Sequence, residues 1–327
     1  MDFSWLGNFF YSQLFVTPAY PVTDFTDQTV IVTGANTGLG FEAAKHLVRL
    51  NVSKVIIAVR NLQKGSAAKE AIEHATGRKG VVEVWQLDLS SYESVKDFAA
   101  QVSNLERLDA MIENAGIGGE KLELKEGLES TITVNVISTE LLALLVLPKL
   151  QETATRFNVQ PRLSIVTSDL HFIVKFPERN SQDIFKELSE NNSHFGERYQ
   201  VTKLIELFFI RELALRINAS KKPKVVVNCM TPGVCASDFF RDPSFIMRIT
   251  MPIMYKLLAR TTEVGARTLI AGASAGIESH GEYMADGVVA SPSNLVLSAE
   301  GKDLQTRLWD QTIQRLENIQ PGISSNI

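Results

Sequence analysis

Residues 29–40, TVIVTGANTGLG, run a short β-branched stretch into three glycines, Gly34, Gly38 and Gly40, after which a helical pattern begins. A buried strand that stops at a tight turn and restarts as a helix leaves free N–H groups pointing at whatever lies above. Gly34 allows the turn. Gly38 and Gly40 let a phosphate approach the backbone and the helix pack closely on the strand. The spacing is G-x-x-x-G-x-G, not the G-x-G-x-x-G of the best-known dinucleotide fingerprint, and any tight βα turn can be glycine-rich. The rest of the chain has to supply the context.

It does so by alternation. Strand-like runs at 29–33, 54–59, 81–87, 108–112, 163–167 and 224–230 are separated by helical stretches at 38–50, 62–76, 128–150 and 199–218. Strands alternating with helices predict βαβ units around a parallel sheet. The expected fold class is α/β: a Rossmann-like, doubly wound parallel sheet in three α/β/α layers, forming a single domain. Its expected parts are an N-terminal aromatic-rich arm (1–26), a dinucleotide-binding catalytic domain (27–300) with an apolar lid at about 238–260, and a C-terminal helix with a disordered end (301–327).

The composition fits such a domain. The 327 residues are 45% hydrophobic and 21% charged, with a formal net charge of −4. That gives ample material for one large core. It gives no basic footprint for nucleic acid. Two cysteines, Cys229 and Cys235, indicate neither a disulfide framework nor a zinc site, and no metal is expected. No apolar run suggests a membrane span. Residues 3–16 are aromatic-rich but lack a basic n-region and a cleavage pattern, so a secretory signal is not indicated. They read as an amphipathic arm docked on the protein's own surface or on a second subunit. The alternative is an interfacial segment resting on a membrane, although the Lys/Arg face usual for such helices is missing. The expected setting is cytoplasmic, with membrane association through the arm as the alternative.

In a doubly wound sheet, ligands bind beyond the carboxyl ends of the strands. Arg60 follows the second strand, where an acidic residue would suit a ribose 2′-OH; a guanidinium suits a 2′-phosphate instead. Asp88 ends the third strand, where it can accept from an adenine amino group or cap the next helix. Ser91 is a candidate cap for that helix. Tyr199 and Lys203 lie four apart on one helix face, and a nearby ammonium favours a phenolate. Tyr92 and Lys96 share that spacing but follow no strand-terminal serine, so they read as a solvated face. Only Tyr199 opens an apolar helix downstream of a strand ending in Ser168.

The glycine turn, Asn114-Ala115-Gly116, Asn135, Ser168, Tyr199-x-x-x-Lys203 and Pro232-Gly233 occur in the order seen in the short-chain dehydrogenase/reductase superfamily. Within it the chain resembles the retinol-dehydrogenase-like branch and its fungal members, on Ala58-Val59-Arg60, Val166-Thr167-Ser168 with His171, and YQVTKLIELFFIRELA. The resemblance covers about residues 27–317. It implies that Tyr199 exchanges a proton with the substrate oxygen, Ser168 holds that oxygen, Lys203 binds the nicotinamide ribose and lowers the Tyr199 pKa, and Asn135 positions a relay water. It implies a cofactor cradle of Gly34, Asn36, Thr37, Gly38, Leu39 and Gly40, with Arg60, Asp88, Leu89, Asn114, Ala115 and Gly116 towards the adenosine. Pro232, Gly233, Val234 and Ser237 would lie along the nicotinamide and pyrophosphate.

Two residues depart from the pattern. Glu113 stands where the family has the first Asn of N-N-A-G, and a carboxylate at that buried strand end needs partners or protonation. Thr167 stands where a serine is common. His171 lies within reach of a substrate but reads more readily as a structural histidine, and Cys235 as a small buried residue. Phe239, Phe240, Phe245, Met247, Met251, Met254 and Tyr255 give the lid its apolar character, which suits a hydrophobic substrate. The expectation is an NADP(H)-dependent oxidoreductase for a carbonyl or alcohol of an apolar small molecule (retinoid, steroid or polyketide-like), with homodimerisation as a family expectation. The competing reading is an isomerase, cyclase or cofactor-binding protein on the same fold.

Overall fold

The computed structural model describes residues 3–118, 122–191, 193–236 and 258–327. Ser237, Asn192 and the body of the expected lid, 237–257, lie outside the described residues. The sheet is built from β1 (Thr29–Thr33), β2 (Lys54–Val59), β3 (Val82–Gln86), β4 (Ala110–Glu113), β7 (Arg162–Val166), β8 (Val226–Met230), β9 (Tyr283–Ala285) and β10 (Val288–Ala290). β5 (Leu124–Lys125) and β6 (Leu128–Glu129) form a separate small hairpin. The order across the sheet is β10-β9-β8-β7-β4-β1-β2-β3. Every neighbouring pair is parallel except β9–β10, as the sequence alternation predicts. The order reverses direction at β1, and the crevice between β1 and β4 is where a doubly wound sheet takes its ligand.

The strands are short apolar runs buried on both faces, which is what parallel strands require. The helices are α1 (Phe3–Phe15), α2 (Gly38–Arg49), α3 (Leu62–Thr76), α4 (Tyr92–Ser103), α5 (Thr139–Phe157), α6 (Ile184–Glu190), α7 (Arg198–Ala219), α8 (Thr262–Ser274), α9 (Asn294–Leu297) and α10 (Ala299–Ile319). Two clusters form the core, one on each face of the sheet. One joins Val30, Val32 and Ile112 to α2, α3 and α8; the other joins Ile31, Met111 and Leu163 to α4, α5, α7 and α10. Three layers result. Ser91 caps α4 by accepting from Ser94 N, and Asn61 caps α3 by accepting from Lys64 N.

Two local features differ from the sequence reading. The helix expected over 128–150 is a hairpin, a π-helical turn at Ile132–Ser138 and then α5. Glu129 organises that entry by accepting from Thr131 N at 3.0 Å and Ile132 N at 3.2 Å. By length and composition 132–157 is apolar enough to cross a bilayer, yet 89% of that window is buried inside the protein, which makes it a core helix. The C-terminal end, expected to be disordered, is docked: Ile323 is buried, and Asn326 donates to Leu144 O and accepts from Gln151.

The N-terminal arm rests on the protein's own surface. Gln13, Ser12 and Val16 bond to residues around 234 and 258–260, and Trp5 stacks on Phe172 with ring centroids 5.3 Å apart. Its outer face leaves Tyr11, Leu14 and Phe15 exposed.

Candidate active site

At the end of β1 the chain enters the glycine turn with Gly34 at φ +66° and Gly38 at φ +62°, backbone positions suited to glycine. A Cβ on Gly34 would meet Ala115 Cα at 3.0 Å, and one on Gly40 would meet Asn114 Nδ2 at 2.6 Å and Gly34 O at 2.8 Å. The absence of side chains at these two positions therefore lets the turn close against the end of β4. Thr33 Oγ1 accepts from Asn114 N and Ala115 N, and Asn114 Nδ2 donates to Thr33 O at 2.9 Å. The Asn114-Ala115-Gly116 segment is thereby fixed beside the turn. At Gly38, by contrast, a Cβ would meet nothing within 4 Å. The first turn of α2 thus offers backbone N–H groups to open space, the arrangement that suits a phosphate.

The tips of β2 and β3 complete that side. Arg60 lies exposed at the end of β2. Asp88 accepts from Ser90 N at 2.9 Å and Ser90 Oγ at 2.7 Å, so it closes its own turn while Ser91 caps the helix. Leu89 is buried behind it.

The other side of the crevice holds the reactive groups. Ser168 lies two residues beyond β7; its Oγ accepts from Leu170 N and shares a hydrogen bond with Tyr199, which lies in the first turn of α7. Lys203 follows one turn later, with Nζ 5.7 Å from the Tyr199 ring centroid. A methyl group on Gly116 would lie 3.2 Å from Asn135 Oδ1 and 3.7 Å from Lys203 Nζ, so Gly116, Asn135 and Lys203 converge. The structure brings Ser168, Tyr199, Lys203 and Asn135 to one place. Thr167 Oγ1 donates to Lys203 O at 2.6 Å and ties α7 to the end of β7.

One expected effect changes, that of Lys203 on Tyr199, and Asn135 and Val234 have polar groups engaged within the protein. The Tyr199 phenol is pushed up, not down: burial does most of this, the charge of Glu206 adds to it, and the Ser168 hydrogen bond pulls the other way. Lys203 does not counter the shift, because its ammonium is held by Glu206 Oε1 at 2.8 Å, Glu206 Oε2 at 3.1 Å and Val166 O at 2.8 Å. Asn135 commits both amide hydrogens, to Ile117 O and Thr202 Oγ1, and accepts from Ile117 N, so its side chain has no donor left for a relay water. Val234, expected along the nicotinamide, has both backbone polar groups bonded to Gln13. The extended backbone at 234–236 directs Cys235's amide and carbonyl to the opposite edge.

The remaining candidates are structural. His171 donates through Nδ1 to Ser168 O at 2.7 Å and accepts at Nε2 from Ser293 N at 3.2 Å, while burial pushes its pKa down to about 4. Burial pushes the Cys235 thiol up to about 12, which makes it a small buried residue. Tyr92 is likewise pushed up to about 12 by burial. Glu113 is fully enclosed, with neither carboxyl oxygen hydrogen-bonded among the described residues, and burial pushes its pKa well up; the strand end holds a protonated acid.

Sequence reasoning missed Gln13, Glu206 and Asp169. Asp169 accepts from Tyr283 Oη at 2.6 Å and Thr231 Oγ1 at 3.0 Å, locking the turn after Ser168 to the segment that carries Pro232-Gly233. Its signal was adjacency to Ser168. Gln13 had none, and Glu206 looked like an ordinary helix charge.

Residues 28–156 match the short chain dehydrogenase family. The chain is 44% identical over 325 residues to the short chain dehydrogenase/reductase dmxR8 of Cryptosporiopsis sp., covering 97% of this chain and 99% of that one. It is 41% identical over 322 residues to the short-chain dehydrogenase anuD of Penicillium roqueforti, covering 97% and 84%. Among solved structures, the Pseudomonas aeruginosa RhlG/NADP active-site complex superposes with a TM-score of 0.61 at 20% identity, over 82% of this chain and 97% of that one. The oxidoreductase yciK of E. coli superposes at 0.58 and 22% identity, over 84% and 99%. At these identities the structural likeness concerns the fold.

Proposed function

The chain is an enzyme of the short-chain dehydrogenase/reductase family, and from that premise we propose that it interconverts a carbonyl and an alcohol on an apolar small molecule with NADP(H). The observation that carries this reading is the Ser168–Tyr199 hydrogen bond beside Lys203, at the carboxyl ends of the central strands.

The residues of the turn fit a dinucleotide. Gly34 and Gly40 sit where a Cβ would collide, and Gly38 faces open space above the α2 N-terminus. Gly34, Asn36, Thr37, Gly38, Leu39 and Gly40 would hold the pyrophosphate side, Asn114, Ala115 and Gly116 the ribose, and Arg60 the 2′-phosphate. When bound, the nicotinamide supplies or accepts the hydride. The chain's own work is orientation and proton transfer. Ser168 Oγ and Tyr199 Oη form a paired donor set for one substrate oxygen. Tyr199 gives that oxygen a proton in reduction and takes one in oxidation, with Lys203 on the next turn. The exposed guanidinium of Arg60 favours the phosphorylated coenzyme over its unphosphorylated form.

Replacement of Tyr199 by Phe tests the mechanism. NADPH oxidation coupled to a lipophilic ketone should fall by at least about a hundredfold, while NADPH binding, followed by fluorescence, stays intact. Full activity in the variant would remove the mechanism. NADPH consumed in step with alcohol formed separates this reading from an isomerase or cyclase on the same fold.

A further inference from the structure

Lys203 is not alone behind the site. Its three ammonium hydrogens are taken by the two oxygens of Glu206 and by Val166 O, and both charged side chains are buried. Glu206 sits one turn further along α7. Two further acids approach it, both enclosed: Glu113 from the end of β4, its carboxyl oxygens unbonded among the described residues, and Glu140 from α5, with Thr312 beside its carboxyl. Tyr199 and Lys203 face it from its own helix and Cys229 from β8. The titratable groups of the turn after Ser168 are engaged elsewhere, His171 with Ser168 and Ser293, Asp169 with Tyr283 and Thr231.

We infer that Glu206 is a positioning residue for the reaction: its carboxylate anchors the Lys203 ammonium and offsets its charge, so that Tyr199 meets the substrate as a hydroxyl. This rests on the function proposed above and gives it a direction. A lone ammonium near a phenol favours the phenolate. An ammonium with a carboxylate at 2.8 Å is a dipole, whose field falls off faster with distance. The same carboxylate disfavours a second negative charge on Tyr199. In reduction, the Tyr199 hydroxyl gives its proton to the substrate oxygen and the phenolate regains one from solvent. In oxidation, a phenolate must be present beforehand to take the alcohol proton. Once Glu206 is ionised, from about pH 7 upward, the Lys203–Glu206 pair therefore sets the site for carbonyl reduction.

Glu113 and Glu140 limit how the cluster can be charged. Burial pushes the Glu206 carboxyl up to about 7 although Lys203 pulls it down, so the pair is charged from about neutrality upward. With Glu206 ionised against Lys203, a second buried carboxylate nearby would be a like charge without a cation of its own, so burial keeps these two protonated. They are bystanders in titration near neutrality, and Glu206 is the member that acts on Lys203.

The test is a tyrosinate absorbance titration with and without saturating NADP⁺, on the full chain and on Glu206→Gln, Glu206→Asp and Glu113→Gln. Each is paired with the same protein carrying Tyr199→Phe, so that the difference isolates Tyr199. Glutamine keeps an acceptor for Lys203 but removes the negative charge. Tyr199 in Glu206→Gln should ionise at least about one pH unit lower than in the wild type. Glu206→Asp should stay close to wild type, and Glu113→Gln, which removes a carboxyl already protonated, should not shift it. The alkaline limb of phenanthrenequinone reduction by NADPH should move down with the titration. A folded Glu206→Gln protein with normal NADP⁺ binding and an unmoved Tyr199 titration overturns the inference, as does an Asp variant displaced as far as Gln. Absence of any Tyr199-dependent NADPH turnover in the wild type would instead count against the function itself, and the titration would still decide the role of Glu206.

Discussion

Gln13 and Val234, 221 residues apart, exchange two hydrogen bonds: Gln13 Nε2 donates to Val234 O at 2.8 Å, and Val234 N donates to Gln13 Oε1 at 3.1 Å. The second amide hydrogen goes to Leu258 O at 2.7 Å. One side chain of α1 thus bridges both ends of the segment 237–257. Arg260 reinforces the joint by donating to Ser12 O, Val16 O and Asp286. The arm is a structural member of the site's rim, whatever its exposed aromatic face does.

Gln13→Ala should therefore destabilise the protein. It strands the Val234 N–H in a partly buried joint, a loss of about 1–3 kcal/mol. Thermal unfolding should fall by a few degrees, and the KM for the nicotinamide coenzyme should rise because the Pro232-Gly233 segment loses its brace. Unchanged melting would mean that Val234 finds another partner at no cost.

His171 predicts an acid-sensitive fold. The neutral ring bridges Ser168 O and Ser293 N, and protonation would set an N–H against the Ser293 N–H. Its folded pKa is about 4, against about 6.5 in an unfolded chain. Between these values the unfolded state binds more protons, so stability rises with pH there and is lost on acidification from about 6.5 towards about 4. The loss approaches about 3 kcal/mol, from 1.36 kcal/mol per unit. Urea unfolding at neutral and mildly acidic pH, in the wild type and in His171→Asn, checks this. The variant should be weaker at neutral pH and show a shallower fall; an identical fall in both would assign the sensitivity to another group.

Much of this architecture was legible in the chain. The β-branched runs and the glycine turn gave the sheet as local pattern, and the order of Ser168, Tyr199 and Lys203 gave the reactive cluster through the resemblance to the short-chain dehydrogenase/reductase superfamily. What was not legible depends on contacts distant in sequence. Nothing local marks Gln13 as the partner of Val234. The π-helical turn around Asn135 arises from the Glu129-capped entry to α5, and a period count over 128–150 reads straight through it. The polar tail after Gln320 reads as disordered until Ile323 and Asn326 meet α5. Glu206 resembles any charge on a helix until the stretch of α7 from Val201 to Ile210 is found to be buried, where a carboxylate must have a partner.

Arg60 should decide coenzyme choice. It stands exposed at the tip of β2, beside the turn that would hold the adenosine end. A guanidinium bonded to a 2′-phosphate contributes about 1.5–3 kcal/mol, or about tenfold or more in affinity. Arg60→Ala should raise the KM for NADPH by that factor and leave that for NADH nearly unchanged. Equal effects on the two coenzymes would argue against the phosphate contact.

Gly40 and Gly38 separate packing from binding within one turn. Alanine at 40 gains up to about 1 kcal/mol of helix propensity. Its methyl, however, would lie 2.6 Å from Asn114 Nδ2, 2.8 Å from Gly34 O and 3.0 Å from Ala35 Cα. Two of those atoms are backbone, so the strain cannot be relieved by a rotamer, and overpacking of this kind costs about 1–3 kcal/mol. The clash also pushes Asn114 from Thr33 O, and with it the Asn114-Ala115-Gly116 segment. Gly38→Ala meets no atom within 4 Å, and its strain at φ +62° costs about 1–2 kcal/mol. Its methyl would occupy the space above the α2 N-terminus. Gly40→Ala should therefore lose stability even without coenzyme. Gly38→Ala should keep more of its melting temperature and lose most of the stabilisation that added NADPH gives the wild type. Melting curves with and without NADPH read both effects, and a Gly38→Ala protein still stabilised as strongly as wild type would move the phosphate away from this turn.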